Sequence, residues 1–389
     1  MGRPMVRGLA ILGSTGSIGT NVLDVVDRLP GRFRVVALAA GSNLPVLAAQ
    51  IGKYRPDLVS VKKRSDLERL GRLSRQFGTR LVHGPDGPLE VARAAGADIV
   101  VSAITGIDGL GPTLEAVRAG RRVALANKES MVVGGPFLRQ EARRSGAVIL
   151  PVDSEHSGVF QCLARERRKH VRRVILTASG GPFFRAPLKQ LKDKTLAEAL
   201  RHPRWVMGKK VTVDSATMMN KGLELIEARW LFDIEPGKLD VLVHPQSAVH
   251  SLVEMTDGSV LAQLSATDMR IPIQYALTWP ERADTSLPLL DLGRLGRLEF
   301  HEVDPRRYPM FGMARHALER GGSFPVALNA ANEAAVEAFL RNRIAFRDLP
   351  AVVGEVMDAH RETPVGSIAA IHEIDREARR LARRSLKQR

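Results

Sequence analysis

The sequence has few of the features that mark several protein classes. Cysteine occurs once, at Cys162, which excludes an internal disulfide framework and is typical of a reducing cytoplasm. We expect Cys162 to be a core or interface residue. No apolar run approaches the ~18 residues that a membrane span needs. The first predicted strand, residues 8–12, starts so early that we expect no signal or transit peptide. These features predict a cytoplasmic protein without membrane spans.

Aromatic residues are also scarce, at 5% of the chain, although the net charge is +16. Much of the positive charge lies in residues 165–173 and 376–389, which are predicted to be exposed faces or ends. With so few rings there are few platforms on which single-stranded bases could stack. We therefore expect no specific nucleic-acid partner. An anionic small-molecule substrate would account for local positive charge.

Residues 1–150 alternate short apolar strands with helical patterns. The predicted strands are 9–12, 33–39, 58–61, 99–102, 122–126 and 147–150, and the predicted helices between them include 21–28, 44–54, 65–77 and 109–119. Such alternation predicts an α/β fold with a parallel, doubly wound sheet of the Rossmann type.

The rest of the chain changes pattern twice. Residues 151–280 mix strands with a helix predicted from about Ala216 to Phe232, and alternation around 249–265 indicates an antiparallel hairpin. This predicts a central α+β catalytic domain. Residues 281–305 have the composition of a linker. Residues 306–389 predict a small α-helical domain with helices at 310–320, 326–342, 351–360 and 368–384.

A glycine-rich turn follows the first strand. Gly13, Gly16 and Gly19 have the spacing GxxGxxG, which permits a tight turn and lets a pyrophosphate approach a helix N-terminus. A βαβ context at the start of the chain strengthens the prediction of a dinucleotide site. The end of the second strand, residues 37–43, lacks the acid that usually binds the ribose of NAD, so NADP is favoured. Residues 127–130 follow another strand; Asn127 is either a ligand contact or a helix cap.

A second group of residues is polar where plain surface or core is usual. Asp153 and Glu155 would point the same way if the strand before them continued. On the predicted helix, Asn220 and Glu224 share a face at i,i+4, and Lys221 and Glu224 are neighbours at i,i+3. Such a set suits a divalent cation and an anionic substrate. The alternative is that these are a solvated helix face and ordinary turn residues.

The chain resembles the 1-deoxy-D-xylulose 5-phosphate reductoisomerase family in several segments that include the glycine turn and the polar groups described above. The matching segments are residues 13–19, 127–130, 151–156, 179–183, 202–210, 213–232, 244–247 and 328–333, which run in order across most of the chain. The resemblance implies NADPH-dependent conversion of 1-deoxy-D-xylulose 5-phosphate to 2-C-methyl-D-erythritol 4-phosphate in non-mevalonate isoprenoid synthesis. It also implies a homodimer.

The resemblance implies a role for each group of residues. Asp153, Glu155 and Glu224 would bind the metal, and all-oxygen ligation favours Mg²⁺ or Mn²⁺, with Co²⁺ as a further candidate. The catalytic and substrate contacts would be Lys128, Ser154, Glu155, Ser179, His202, Trp205, Ser215, Asn220, Lys221 and Glu224. Together with the glycine turn, the resemblance gives the cofactor contacts Thr15, Gly16, Ser17, Ile18, Gly41, Ser42, Asn43, Asn127, Glu129 and Gly208.

Residues 202–210 resemble a flexible lid whose Trp205 covers the substrate and excludes water. The alternatives are a core aromatic for Trp205 and a helix-end residue for His202. The breaks at Pro203 and Gly208 favour a mobile loop.

One position departs from the family pattern, which often has a basic residue where this chain has Ser42. We hypothesise that Lys62, Lys63 or Arg64 contacts the 2′-phosphate of NADPH instead, since they follow the neighbouring third strand. Two other classes stay open at this point. One is an NADP-dependent sugar or semialdehyde dehydrogenase without a metal site, and the other is a non-catalytic NADP sensor that binds a partner through its basic tail.

Overall fold

The structure is a computed structural model that describes residues 6–205 and 207–389. Val206, part of the predicted lid, and the first five residues of the predicted domain 1–150 lie outside the described residues. The strands are β1 Arg7–Leu12, β2 Phe33–Ala39, β3 Leu58–Val61, β4 Arg80–His83, β5 Ile99–Ser102, β6 Arg122–Leu125, β7 Val148–Pro151, β8 Val171–Ala178, β9 Leu239–Val243, β10 Val249–Met255 and β11 Val260–Leu264.

The α-helices follow the same alternation in the first part of the chain and dominate the last part. They are α1 Ser17–Arg28, α2 Leu44–Tyr54, α3 Arg64–Phe77, α4 Gly87–Ala92, α5 Leu110–Arg118, α6 Lys128–Ser145, α7 Ser154–Cys162, α8 Leu196–Ala199, α9 Lys209–Ala216, α10 Met219–Phe232, α11 Arg270–Thr278, α12 Leu292–Leu295, α13 Pro309–Arg320, α14 Phe324–Leu340, α15 Asp348–Ala359 and α16 Ile368–Leu386. None of the helices in the described part of the chain is long and apolar enough to cross a membrane.

The described residues form two compact units. The first contains the residues up to Ser130, then Pro136–Ser157 and Asp268–Pro288. The second contains Met131–Gly135, Gly158–Thr267 and Leu289–Arg389, so the C-terminal helices share a unit with the central α+β region. The division into domains at residues 150, 280 and 305 stays a prediction.

The first unit is built on a parallel sheet. Among the described residues it has seven strands in the order β4-β3-β2-β1-β5-β6-β7, and every neighbouring pair is parallel. Strand β5 is entirely buried and β1 nearly so, as expected of central strands covered by helices on both faces. The predicted doubly wound, Rossmann-type sheet is confirmed. Strand β4 at the edge was not predicted, because its residues are exposed or only half-buried and form no apolar run.

The second unit combines a mixed sheet with helices. Among its described residues the sheet has four strands in the order β11-β10-β8-β9, and β10 is antiparallel to both of its neighbours. The hairpin predicted at 249–265 is therefore confirmed. The C-terminal helices α13–α16 also agree with the prediction within a few residues. Helix α10 packs tightly on α13, since a Cβ added at Gly222 would lie 2.3 Å from Cβ of Ala314.

Candidate active site

The glycine turn between β1 and α1 has no room for a side chain at Gly13 or Gly19. Gly13 has φ +88°, and an added Cβ would lie 2.6 Å from the carbonyl oxygen of Ala103. An added Cβ on Gly19 would lie 2.4 Å from the carbonyl oxygen of Gly13. The turn is tied to the second strand, because the N–H groups of Gly13 and Ser14 both donate to Ala39 O at 2.9 and 3.0 Å. Glycine is therefore required by the backbone at both positions.

The first turn of α1 suits a phosphate group. Gly16 is the N-cap and supplies no side-chain cap, and the first turn contains no acid. Gly16 and Ser17 are exposed, and Thr15 and Ile18 are half-buried. The N–H groups at a helix N-terminus have no intrahelical acceptor, and the helix dipole there favours an anion. This geometry fits the pyrophosphate of a dinucleotide, as the sequence predicted.

The end of β2 lies beside the end of β3. Ala39 is paired with Ser60, and the predicted cofactor residues Gly41, Ser42 and Asn43 that follow β2 are exposed. The exposed side chains Lys62, Lys63 and Arg64 follow β3. The strand adjacency on which the phosphate hypothesis depends is thus confirmed, while the contact to a 2′-phosphate stays a prediction.

Asn127 caps α6, as the alternative interpretation of this residue required. Its Oδ1 accepts a hydrogen bond from the backbone N–H of Ser130 at 2.8 Å. Its Nδ2 donates to Gly106 O at 3.0 Å and to Glu129 Oε2 at 3.1 Å. Lys128 is buried, and its Nζ lies 2.8 Å from Asp153 Oδ2. The cap therefore sets the position of a buried lysine that pairs with a predicted metal ligand.

The strand before Asp153 does not continue through Glu155, so the condition under which these two side chains would point the same way is not met. Strand β7 ends at Pro151, and α7 begins at Ser154. Asp153 directly precedes the helix, where Asp and Ser are favoured and where the helix dipole favours negative charge. The Ser154 hydroxyl donates to Glu155 Oε2 at 2.7 Å. The two carboxylates thus lie at a helix N-terminus, not on one face of a strand.

The helix predicted from about Ala216 is also interrupted. Helix α9 ends at Ala216, Met218 adopts a left-handed conformation with φ +60°, and α10 begins at Met219. Ser215 therefore belongs to the helix before the break. Neither position in the break is a glycine or a proline, since the residues are Thr217 and Met218, and the sequence pattern therefore did not show it.

The polar face of α10 agrees with the prediction. Asn220 Nδ2 donates to Glu224 Oε1 at 2.5 Å, and Lys221 Nζ lies 2.5 Å from Glu224 Oε2. Only 1% of Glu224 and 3% of Lys221 is exposed. A buried charge is costly unless it is paired and hydrogen-bonded, and here each carboxylate oxygen has its own donor. A carboxylate has about four lone-pair sites, so hydrogen bonding to it is compatible with ligation of a cation.

Ser179 and His202 lie together, a contact that the sequence pattern did not reveal. Ser179 Oγ is 2.9 Å from His202 Nε2 and accepts a hydrogen bond from Gly181 N at 3.1 Å. Because His202 Nδ1 accepts from the N–H groups of Trp205 and Arg204 at 2.8 and 3.2 Å, we place the imidazole proton on Nε2. The imidazole then donates to Ser179 Oγ. The serine hydroxyl can in turn donate its hydrogen to a phosphate oxygen.

The loop that carries Ser179 packs against the end of α9. Gly180 and Gly181 have φ +80° and +69°, and a Cβ on Gly181 would lie 2.5 Å from Ser215 O. The hydroxyl of Tyr308 donates to Gly180 O at 2.8 Å, and burial raises the pKa of this phenol. Tyr308 was not predicted, because it belongs to no recognisable sequence motif. The structure thus brings the loop of Ser179 next to the backbone of Ser215.

The described part of the predicted lid contacts the turn at residues 244–247 and the start of β10. Arg204 Nε donates to Pro245 O at 3.0 Å, and the rings of Trp205 and His250 have centroids 6.3 Å apart. Trp205 is half-buried, so it is no ordinary core aromatic. His202 lies beyond the end of α8 in a loop, and Gly208 is the exposed N-cap of α9. Movement of this segment stays a prediction.

Known proteins of one family are similar to this chain in sequence. Three family models match the chain: 1-deoxy-D-xylulose 5-phosphate reductoisomerase over residues 9–135, its C-terminal domain over 149–232, and the DXP reductoisomerase C-terminal domain over 264–381. The reductoisomerase of Heliobacterium modesticaldum is 51% identical over 97% of this chain and 97% of its own length. That of Prosthecochloris aestuarii is 48% identical over 97% of this chain and 99% of its own.

Solved structures agree with these sequence comparisons. The Zymomonas mobilis reductoisomerase in complex with NADPH has a TM-score of 0.92 and 41% identity, covering 98% of this chain and 99% of that chain. A DOX-P reductoisomerase in complex with NADPH, fosmidomycin and magnesium has a TM-score of 0.93 and 39% identity, covering 98% of each chain.

Proposed function

Because the chain belongs to the 1-deoxy-D-xylulose 5-phosphate reductoisomerase family, we propose that it converts 1-deoxy-D-xylulose 5-phosphate to 2-C-methyl-D-erythritol 4-phosphate with NADPH and a divalent cation. The observation that carries this proposal is the buried face of α10. Glu224 lies there between Asn220 and Lys221, which combines a hard oxygen ligand with donors for an anionic substrate. A plain dehydrogenase has no need of such a buried carboxylate.

We assign the cation to Asp153, Glu155 and Glu224. All three offer carboxylate oxygens, which suit Mg²⁺ or Mn²⁺ better than a softer metal, and Co²⁺ is a further candidate. Lys221 beside Glu224 and the helix N-terminus beside Asp153 each place positive or partial positive charge next to a proposed carboxylate ligand. When bound, the cation acts as a Lewis acid on the carbonyl and adjacent hydroxyl oxygens of the substrate.

The phosphate of the substrate is assigned to the hydroxyls of Ser179 and Ser215, the side-chain amide of Asn220 and the ammonium group of Lys221. Ser179 offers a hydroxyl hydrogen because His202 and Gly181 already donate to its oxygen. Ser215 lies beside the same loop, and Lys221 supplies a positive charge. Lys128 and Ser154 are assigned to the hydroxyls of the sugar. Residues 202–210, with Trp205, are assigned to covering the substrate and excluding water.

We assign NADPH to the turn at Gly13–Gly19 and to the neighbouring strand ends. The pyrophosphate would lie against the N–H groups of Ser17 and Ile18 at the start of α1. The other proposed contacts are Thr15, Gly16, Gly41, Ser42, Asn43, Asn127, Glu129 and Gly208. NADPH supplies the hydride that reduces the rearranged carbon skeleton.

Two further properties are proposed on narrower grounds. A homodimer is expected from the family, and sedimentation equilibrium would test it. A cytoplasmic location is supported by the single cysteine, Cys162, whose thiol is half-buried and has its pKa raised to about 11 by burial. A chain with one cysteine cannot form an internal disulfide, which is typical of proteins in a reducing compartment.

The experiment follows NADPH oxidation in the presence of 1-deoxy-D-xylulose 5-phosphate, with and without EDTA. We expect turnover that EDTA abolishes and that added Mg²⁺ or Mn²⁺ restores. Oxidation that persists in EDTA would favour a metal-independent dehydrogenase. Binding of NADPH without any turnover would favour a sensor, and either result would overturn the proposal.

A further inference from the structure

Two asparagines in α14 are fully buried in a helix that is otherwise largely apolar. Asn329 and Asn332 are both 0% exposed. Burying an amide is costly unless it forms hydrogen bonds, so each side chain needs a partner. Asn329 finds one within its own helix, where its Nδ2 donates to Glu333 Oε1 at 3.1 Å. Asn332 does not bond within α14 but reaches another helix.

The partner of Asn332 is Asp214 in α9. Asn332 Nδ2 donates to Asp214 Oδ1 at 2.9 Å, and Lys210 Nζ lies 2.9 Å from Asp214 Oδ2. Asp214 is 1% exposed, and these two donors satisfy its two buried carboxylate oxygens. The Asp214 carboxylate lies near the C-terminal end of α9. It joins that end both to Lys210 in the first turn of α9 and to Asn332 in the middle of α14.

This ion pair runs against the electrostatics of its own helix. Lys210 lies in the first turn of α9 and Asp214 in the last, whereas the helix dipole favours the opposite order. At i,i+4, a lysine placed N-terminal to an acid is also the less favourable orientation. Local helix stability therefore does not account for the arrangement. The contact to α14 does, because it requires an acceptor at residue 214.

The residue after Asp214 is Ser215, which the proposed function assigns to the substrate phosphate. Ser215 O is the atom that a Cβ on Gly181 would approach within 2.5 Å, so the end of α9 packs against the loop of Ser179. The chain then breaks at Met218 before α10 begins. The position of α9 along its axis consequently sets the distance between two of the proposed phosphate donors.

We propose that Asn332, acting through Asp214, is a positioning residue for the phosphate-binding part of the site, an inference that rests on the proposed function. The amide fixes the carboxylate, the carboxylate fixes the end of α9, and the end of α9 fixes Ser215 against the loop that carries Ser179. Asn332 is fully buried, so the proposal gives it no direct contact with the substrate.

The test compares Asn332→Ala with Asn329→Ala, a matched control that removes an equally buried amide from the same helix. We expect Asn332→Ala to raise the KM for the sugar phosphate on the order of tenfold, because small displacements of positioned groups cost up to about a hundredfold. The kcat and the KM for NADPH should stay unchanged. The inhibition constant of inorganic phosphate should rise by the same factor, and Asn329→Ala should change none of these constants.

A second variant, Asn332→Asp, gives a pH signature. It places a carboxylate against Asp214, and two such groups repel unless they share a proton. Its KM relative to wild type should exceed that of Asn332→Ala at neutral pH and should approach the wild-type value as the pH falls. A purely structural role would predict lower stability without this dependence.

Three results would overturn the inference. They are an unchanged KM in folded Asn332→Ala, equal effects from Asn329→Ala, and a parallel fall in kcat and NADPH affinity. If the wild-type protein did not turn over the sugar phosphate, the proposed function would fail on its own. Calorimetric binding of inorganic phosphate to wild type and Asn332→Ala would then decide the positioning role separately.

Discussion

The proposed cofactor site and the proposed substrate site differ in the groups that form them, which are backbone groups at the first and side chains at the second. At the turn between β1 and α1 the contacts come from the backbone, and the critical residues are glycines that leave room for it. On α10 the contacts come from buried side chains, each held by another side chain. A backbone site should therefore be sensitive to added volume, whereas a side-chain site should be sensitive to lost charge.

The largest effect should come from removing charge on α10. Glu224→Gln keeps the shape of the side chain but removes the negative charge that Lys221 pairs with and that the cation would need. We expect turnover to fall about 10²–10³-fold, the range seen when one group that stabilises developing charge is removed. Steady-state assays with NADPH and the sugar phosphate would measure it, while NADPH binding, followed by fluorescence, should persist.

The control for this variant is Asp233→Asn, which alters an exposed carboxylate just beyond α10. It should leave turnover unchanged. If Glu224→Gln retained most of its activity, the buried face of α10 would not be a metal-binding surface and the contrast between the two sites would disappear.

The converse prediction adds volume at the backbone site. In Gly19→Ala the new Cβ would lie 2.4 Å from Gly13 O, so the turn has to shift. Overpacking of this kind costs about 1–3 kcal/mol. We expect the KM for NADPH to rise about tenfold or more, in line with that cost, and the KM for the sugar phosphate to stay unchanged.

Gly366→Ala is the control, because Gly366 lies in a loop outside the proposed sites and an added Cβ there meets nothing within 4 Å. It should leave both constants at their wild-type values. Equal effects from the two variants would show that the turn at Gly13–Gly19 is no more constrained than an open loop.

How far the sequence predicts each site follows from the same contrast. The backbone site was predictable, because spaced glycines after an apolar strand are a local pattern that specifies a turn. The face of α10 was predictable too, since i,i+3 and i,i+4 spacing is local. The start of α7 was not predicted, although Asp153 and Ser154 are residues that commonly begin helices.

What the sequence could not show are contacts between distant residues. Asn332 and Asp214 are 118 positions apart, and Ser179 and His202 are 23 apart. The break at Met218 belongs to the same class, because the left-handed backbone of a buried methionine is imposed by its surroundings and not by a residue type that favours it. Local patterns therefore locate the groups, and packing alone determines which of them meet.

A smaller effect should come from removing positive charge near the proposed cofactor site. Discrimination between NADPH and NADH needs side chains that contact the 2′-phosphate, which the backbone turn does not provide. Replacing Lys62, Lys63 and Arg64 together by alanine removes the cations that follow β3. We expect the KM for NADPH to rise about tenfold, as one lost charged hydrogen bond would cause. The KM for the sugar phosphate should not change, and the preference for NADPH over NADH should narrow.

The control for the triple variant removes the same charge from the exposed surface of α3, the helix that begins at Arg64, by replacing Arg69, Arg72 and Arg75 with alanine. If the control raised the KM for NADPH equally, the effect would be one of net charge. An unchanged KM in the triple variant would exclude these three residues as the phosphate contact.

The smallest expected effect is on the pH dependence of the free energy of unfolding, and it tests how a buried side chain is held. His244 is fully buried; its Nδ1 donates to Glu299 O at 2.8 Å and its Nε2 accepts from Ala248 N at 3.2 Å. Burial lowers the pKa of this imidazole below its usual value of 6.5. The folded protein therefore keeps His244 neutral at pH values where the unfolded chain already binds the proton.

Stability from His244 is consequently full above pH 6.5 and is lost as the pH falls below it. Urea unfolding between about pH 7.5 and about pH 5.5 should show a steeper decline for wild type than for His244→Gln, which has no proton to gain. His301→Gln, at a largely exposed histidine, should decline like wild type. Equal slopes for wild type and His244→Gln would mean that the imidazole is not held neutral, and the turn at residues 244–247 would then owe its shape to backbone bonds alone.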